Sequence, residues 1–402
     1  MRTIGVVTVA RSDYGLYVPI LREIERRDEL KLQLIVAGSH LSPEFGSTVT
    51  AIEADGFPIA ERIEMLLSSD KPEGLAKSMG LGLLGYAQAF AKSRPDALVV
   101  LGDRFEMHAA AVAALPFGIP VAHIHGGELT QGAIDDALRH SITKLSHLHF
   151  VAAEAYRRRV VQMGEEPWRV IVSGSPAIDQ IRSARLLTAG QVQGRFGIRL
   201  AERFLLVTYH PVTLEAGHAD WQIRELLEAV QASGLPAVFT APNQDTNGRA
   251  IRQYIDAYVR QHAESCLITN LGSEGYVSLM ALACAMVGNS SSGIIEAPSF
   301  ELPVINVGTR QQGRLRGVNV IDVGYTTEEI LEGVRMALSD AFRQRVGGMA
   351  NPYGEGRAAE MIVGRLAEVE LDDRLLRKRF VDAEVLVPEQ EPEPIGGVEH
   401  VG

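Results

Sequence analysis

Histidines and carboxylates crowd one stretch of this chain, and serines and arginines crowd two others, so acid–base chemistry and anion binding are the first possibilities to weigh. The run His123-Ile124-His125-Gly126-Gly127-Glu128 precedes Asp135, Asp136, Arg139 and His140. His-x-His on a strand puts both rings on one face, and with Glu128 it could ligate a metal. No third and fourth ligand falls at a recognised spacing, so no metal site is expected. Asp135 and Arg139 lie four apart beside the apolar stripe Ile134, Leu138, Ile142 and Leu145. They can form an ordinary helix salt bridge or converge on a ligand. Asp103 follows the apolar run Ala97 to Leu101 after a single glycine, where a carboxylate is either an active-site base or the cap of the next helix. His210 ends the run Phe204 to Tyr209, which Pro211 cannot continue, and its ring is either a polar cap or a group facing a cleft.

Gly288-Asn289-Ser290-Ser291-Ser292-Gly293 follows a strand and opens a helix. Free backbone N–H groups and serine hydroxyls there suit a phosphate, and a serine-capped helix start is the plainer reading. Further on, Arg310, Arg314 and Arg316 share a glycine-punctuated loop, suited to a diphosphate or simply to solvent. Gly80-Leu81-Gly82-Leu83-Leu84-Gly85 spells the dinucleotide pattern but has no strand before it, so a closely packed helix is expected rather than a nicotinamide or flavin site.

The elements that must position these groups alternate. Short β-branched runs at Ile4 to Ala10, Leu32 to Ala37, Ala97 to Leu101, Val121 to His125, His149 to Val151 and Val170 to Ser173 are each followed by a polar turn and a helical pattern. A second series runs through Phe204 to Tyr209, Ala237 to Thr240, Cys266 to Thr269, Met286 to Gly288, Val304 to Val307 and Val318 to Val323. This is the signature of two α/β parallel sheets in tandem, with ligands at the carboxyl ends of strands and at the seam. The expected units are 1–185 and 200–355, then a helical stretch over 356–380 able to pack back on the first domain, and a Pro- and Glu-rich disordered tail over 383–402.

Composition agrees with this class. A chain of 402 residues exceeds one hydrophobic core. A formal net charge of -11 argues against nucleic acid or an anionic membrane as partner, although a local arginine cluster can still hold a small anion. Two cysteines make no disulfide framework and suit a reducing cytoplasm, and no apolar run reaches the ~18 residues of a membrane helix.

Taken in order, Arg11-Ser12-Asp13-Tyr14, Gly38-Ser39-His40-Leu41, Gly102-Asp103-Arg104, Ile134-Asp135-Asp136 with Arg139-His140, His210-Pro211-Val212-Thr213, Pro242-Asn243, Gly288-Asn289-Ser290-Ser291 and Gly308-Thr309-Arg310-Gln311 resemble the hydrolysing UDP-N-acetylglucosamine 2-epimerases of sialic-acid-type sugar biosynthesis. The resemblance implies two Rossmann-like domains of the glycosyltransferase-B type with the active site in the interdomain cleft. It also implies no cofactor, no essential metal and a homodimer or homotetramer. By motif position, Arg11, Arg104, His210, Asn243, Asp245, Ser290, Ser291, Glu296 and Arg310 would serve UDP, while His40, Asp103, Asp135 and Arg139 would line an N-acetylated amino sugar. Many relatives carry a glutamate where this chain has His125, so His125, Glu128 or another residue must take over any proton transfer made there.

The implied reaction is anti-elimination of UDP to a 2-acetamidoglucal followed by syn addition of water, giving N-acetylmannosamine from UDP-N-acetylglucosamine. The related enzymes acting on UDP-2,4-diacetamido-2,4,6-trideoxyglucose, in legionaminic acid synthesis, are the first alternative, and a non-hydrolysing 2-epimerase or a glycosyltransferase of the same fold ranks behind them. Of the candidates, Asp103, His125, Glu128, Asp135 and His210 are the expected catalytic groups.

Overall fold

The computed structural model describes residues 1–45, 48–69, 71–130, 134–241, 248–269 and 271–382. The tail over 383–402, Asn243 and Asp245 lie outside these residues.

Among the described residues thirteen strands build two sheets. The first holds β1 (Arg2–Thr8), β2 (Leu30–Ala37), β3 (Ile59–Ile63), β4 (Ala97–Leu101), β5 (Val121–Ile124), β6 (Leu148–Val151) and β7 (Val170–Val172), in the order β3-β2-β1-β4-β5-β6-β7. The second holds β8 (Leu205–Thr208), β9 (Ala237–Thr240), β10 (Cys266–Ile268), β11 (Ala285–Gly288), β12 (Val304–Val307) and β13 (Val320–Val323), in the order β10-β9-β8-β11-β12-β13. Every pairing is parallel. Central strands such as β4 and β8 are buried at every residue, because helices cover both faces of a parallel sheet.

Both sheets reverse their winding once, between β1 and β4 and between β8 and β11. At such a reversal the loops leaving the two neighbouring strands diverge to opposite faces and open a crevice beyond their carboxyl ends. Asp13 and Asp103 follow the first pair of strands, and His210 and Asn289 the second.

One edge strand was not anticipated: in β3 the adjacent polar residues Glu61 and Arg62 interrupt the apolar run between Ala60 and Ile63. The glycine pattern at 80–85 lies inside the helix Pro72–Lys92. A Cβ at Gly82 would meet Met65 Cε at 2.4 Å and one at Gly85 would meet Ile63 Cγ2 at 2.4 Å, so these glycines let the helix lie close on its neighbours.

After the second sheet the chain returns to the first through the helix Ala358–Glu368. Ile362, Val363 and Leu366 of the helix Ala358–Glu368 are fully buried in that sheet's core, each contributing about 1.5–3 kcal/mol of burial. Asp179 receives this helix, its two carboxylate oxygens accepting the Ala358 and Ala359 N–H groups at 2.9 Å each. Among the described residues no helix is long and apolar enough to cross a membrane, and both cysteines are free.

Candidate active site

At the carboxyl end of β1, Asp13 folds back to cap the helix Arg11–Glu25. Its carboxylate accepts the Ala10 N–H at 2.9 Å and the Thr8 hydroxyl at 2.5 Å, and burial pushes its pKa up to about 7. The Thr8 hydroxyl also lies 2.9 Å from His40 Nε2, while His40 Nδ1 lies 2.7 Å from Thr48 Oγ1. Both ring nitrogens of His40 are thus engaged inside the domain. Burial, helped by the charge of Arg104, lowers its pKa to about 4, so the ring is neutral at pH 7. Arg11 is exposed at the helix start. Arg104 forms a forked pair with the fully buried Glu106, at 3.1 and 2.8 Å.

Beyond β4, Asp103 Oδ2 accepts a hydrogen bond from Arg139 Nη2. Arg139 therefore pairs with Asp103, not with Asp135 one helical turn away. Its side chain is nearly fully buried and turned toward the sheet, where its other Nη donates to the His125 carbonyl at 2.7 Å. Thr130 Oγ1 sits 3.2 Å from the same guanidinium and 3.4 Å from Asp103. Asp135 stays beside this pair: burial and the charge of Asp103 raise its pKa.

After β5 the chain turns sharply. His125 has φ of +64°, one of only two non-glycine residues with positive φ among the described residues. Such a conformation costs of order 1–3 kcal/mol and persists where the surroundings hold it. It also breaks the alternation expected of His-x-His. The His123 ring bonds the Gly102 carbonyl at 2.7 Å and Thr143 Oγ1 at 3.2 Å, whereas His125 Nδ1 meets Glu128 Oε1 and its Nε2 lies 3.2 Å from Ser175 Oγ. The two rings have separate partners and form no common ligand face. Likewise His147 Nδ1 accepts the Val121 N–H at 3.1 Å, and His149 Nε2 lies 3.1 Å from Glu165. No group of three or more His, Cys, Asp or Glu among the described residues is disposed to hold a metal.

Glu128 is 2% exposed. Desolvation alone would raise its pKa, but His125, Arg139 and Arg314 together hold it down to about 2. Arg314 belongs to the loop after β12, and its Nη1 lies 3.8 Å from Glu128 Oε2. The carboxyl edges of the two sheets therefore face one another.

On the second sheet, Gly288 brings β11 against β8 so closely that a Cβ would fall 2.0 Å from the Thr208 carbonyl oxygen. Asn289 then ties the two loops at the switch point, accepting the His210 N–H and donating to the His210 carbonyl, both at 2.8 Å. The Asn289 carbonyl receives Arg310 Nη1 at 3.0 Å and Gln311 Nε2 at 2.8 Å. Ser290 caps the helix Ser291–Ile295, and its hydroxyl lies 2.7 Å from Ser292 Oγ, which Tyr276 also meets at 2.6 Å. That helix has only five residues, so any anion here is met by local N–H and hydroxyl donors more than by a helix dipole. Burial pushes Glu296, at its end, up to about 7. It also lowers His210, near Arg310, to about 3, leaving a neutral imidazole. The three arginines of the loop do not act together: Arg310 stays with Asn289, Arg314 crosses to Glu128, and Arg316 pairs with Asp322 at 2.8 Å.

The first sheet thus gathers Asp103, His125, Glu128, Asp135 and Arg139, and the second gathers His210, Ser290, Ser291, Glu296 and Arg310. Sequence reasoning missed Ser175, Thr130 and the turning of Arg314 toward Glu128. Ser175 carried a signal as the serine before Pro176 at a helix start, but nothing local pointed it at residue 125.

Paired Rossmann-like sheets with charged carboxyl edges turned toward each other define a two-domain enzyme of the glycosyltransferase-B type. A sequence model of the UDP-N-acetylglucosamine 2-epimerase family matches residues 22–367. The chain is 40% identical over 384 residues, covering 95% of it and 99% of the relative, to the hydrolysing GDP/UDP-N,N'-diacetylbacillosamine 2-epimerase of Campylobacter jejuni. It is 38% identical over 378 residues, covering 94% and 99%, to the hydrolysing UDP-N,N'-diacetylbacillosamine 2-epimerase of Legionella pneumophila. The structure superposes on the UDP-GlcNAc 2-epimerase of Neisseria meningitidis bound to UDP-GlcNAc with a TM-score of 0.79, covering 92% of this chain and 100% of that one at 20% identity. The chain belongs to the UDP-N-acetylglucosamine 2-epimerase family and is an enzyme of the hydrolysing 2-epimerase type.

Proposed function

We propose that the enzyme acts on UDP-2,4-diacetamido-2,4,6-trideoxyglucose, releasing UDP and the C2-inverted free sugar for nonulosonic acid synthesis of the legionaminic type. The observation that carries the reading is the convergence of Asp103–Arg139 and His125–Glu128 on one edge of the cleft opposite the loop of Arg310. The choice of sugar rests on the names of the relatives at 38% and 40% identity. UDP-N-acetylglucosamine, giving N-acetylmannosamine, is the second reading, supported by the activity for which the family is named.

The C2 proton of such a sugar is only weakly acidic, so departure of the diphosphate must lead. The C1–O bond breaks with its electron pair going to UDP, the C2 proton passes to a base, and a C1–C2 double bond forms. Water then adds its hydroxyl to C1 and a proton returns to C2. Inversion requires the proton to leave from one face and return on the other, so two proton-transfer groups are needed. Asp103, paired with Arg139, and Asp135, whose pKa is raised by burial and by the charge of Asp103, serve one face. His125 with Glu128 serves the other. Arg310, Ser290 and Ser291 receive the departing charge, where each well-aimed donor contributes roughly 3–4 kcal/mol. His210 orients the diphosphate as a neutral donor. Arg11, Arg104, Asn243, Asp245 and Glu296 complete the nucleotide side, and His40 supports the sugar side from behind.

Side-by-side turnover of the two UDP-sugars tests the substrate. A kcat/KM at least tenfold higher for the diacetamido sugar is expected, and a preference for UDP-N-acetylglucosamine would reverse the assignment.

A further inference from the structure

The loop between β12 and β13 touches both domains at points four residues apart. At its start, Arg310 and Gln311 bond the Asn289 carbonyl, beside the serine turn of the second domain. Leu315 is instead held between two tyrosines. Its N–H donates to Tyr156 Oη at 3.1 Å, its carbonyl accepts from Tyr353 Oη at 2.9 Å, and the two hydroxyls lie 2.9 Å apart. Tyr156 lies on the helix Glu154–Gln162 of the first domain. Tyr353 lies in the segment returning to that domain, and its carbonyl accepts the Ser175 N–H at 2.7 Å. Between the two anchors Gly313 has φ of +80°, which turns the strap. The strap is a hydrogen-bonded turn, with the Gln312 N–H donating to the Thr309 carbonyl at 2.8 Å and the Arg314 N–H to the Gln311 carbonyl at 3.3 Å. A shift of the Arg310 end is passed to Arg314 through these bonds.

Arg314 stands next to the tyrosine anchor, and its guanidinium faces Glu128 at 3.8 Å, an ion pair too long for a hydrogen bond. Glu128 in turn holds His125 Nδ1, and Ser175 Oγ lies 3.2 Å from the other ring nitrogen. A chain of contacts thus joins the proposed diphosphate loop to the histidine of the sugar side.

We propose that Arg314 is a positioning residue that couples nucleotide binding at the Arg310 loop to the orientation of Glu128 and His125. Seating of a diphosphate on Arg310 draws the strap, closes the Arg314–Glu128 pair to hydrogen-bond distance and sets the imidazole for proton transfer. The inference rests on the reading of the Arg310 loop as the diphosphate site.

Two measurements on the full chain test it. Ring-labelled histidine NMR, with the His125 signals assigned by their loss in His125→Asn, follows a titration with UDP alone. UDP shifts the His125 signals in the wild type but not in Arg314→Ala, whose calorimetric Kd for UDP stays within threefold of wild type. In turnover, Arg314→Ala lowers kcat at least tenfold, Arg314→Lys recovers part of the loss, and the double variant with Glu128→Gln is no slower than the slower single variant. Equal His125 shifts in both proteins, no shift in a wild type that binds UDP, or an unchanged kcat in Arg314→Ala overturns the coupling. A wild type that does not bind UDP at all instead removes the diphosphate reading, and the coupling with it.

Discussion

Replacing Asp103 by Asn deletes one charge and almost no volume, and its cost can be worked from the contacts around it. Removing one partner of a fully buried ion pair destabilises a protein by ~3–5 kcal/mol. Asp103 is 21% exposed, and asparagine still offers an oxygen to Arg139. Arg139 also keeps the His125 carbonyl at 2.7 Å, Thr130 Oγ1 at 3.2 Å and the nearby charges of Glu128 and Asp136. The stability loss should therefore be nearer 1–2 kcal/mol, the level of one charged hydrogen bond weakened to a neutral one, and the variant should fold. Catalysis should suffer far more, because a positioned base contributes roughly 100- to 10,000-fold. UDP affinity should stay within about threefold, since Arg310, Ser290 and Ser291 stand on the other sheet and Arg104 keeps its own partner, Glu106. Continuous detection of released UDP gives the rate, calorimetry the affinity and thermal unfolding the stability. UDP release within threefold of wild type would remove Asp103 from the proton chemistry, and a collapse of UDP affinity would make it a binding residue instead.

Arg310→Ala should weaken UDP binding by roughly 10- to 100-fold, the worth of about 1.5–3 kcal/mol for a charge-assisted bond, and an unaltered Kd would count against the phosphate loop. Gly288→Ala should fail to fold or lose more than ~3 kcal/mol in denaturant melts, because its Cβ would strike the Thr208 carbonyl at a backbone φ of +138°; a soluble variant of normal stability would show that β8 and β11 can separate. Stability should fall as pH drops from 6.5 toward 4. Burial lowers His123 and His210 to about 3 and His40 and His147 to about 4, so over that window the unfolded chain binds protons that the folded one refuses. Asp13 and Glu296, raised to about 7, act in the opposite sense between about 4 and 7 and partly mask the loss. His123→Gln should flatten the acid limb of the Tm–pH curve by up to one proton's worth, and an identical slope would contradict the assigned burial effect.

The alternation of β-branched runs and amphipathic stretches made the two sheets legible, and the residues at their switch points could be picked out because the turns follow directly on buried strands. The edge strand β3 escaped because Glu61 and Arg62 break its apolar run where one side faces water. Partners across long separations were not legible. Arg139 stands 36 residues from Asp103, so the helix-turn spacing pointed to Asp135 instead. The left-handed conformation of His125 carries no local signal comparable to a glycine, yet it decides which way the ring points. Arg314 read as one more arginine of a basic loop because its tether, the Tyr156–Tyr353 pair, joins residues 197 apart.

The proposed reaction turns on a proton leaving C2 as UDP departs and another returning to the opposite face. NMR of UDP-2,4-diacetamido-2,4,6-trideoxyglucose turned over in D2O reads both events at once. A free sugar inverted at C2 and carrying deuterium there, in step with released UDP, is the predicted result. A product still linked to UDP, or a free sugar that keeps its C2 proton or its original configuration, would contradict it.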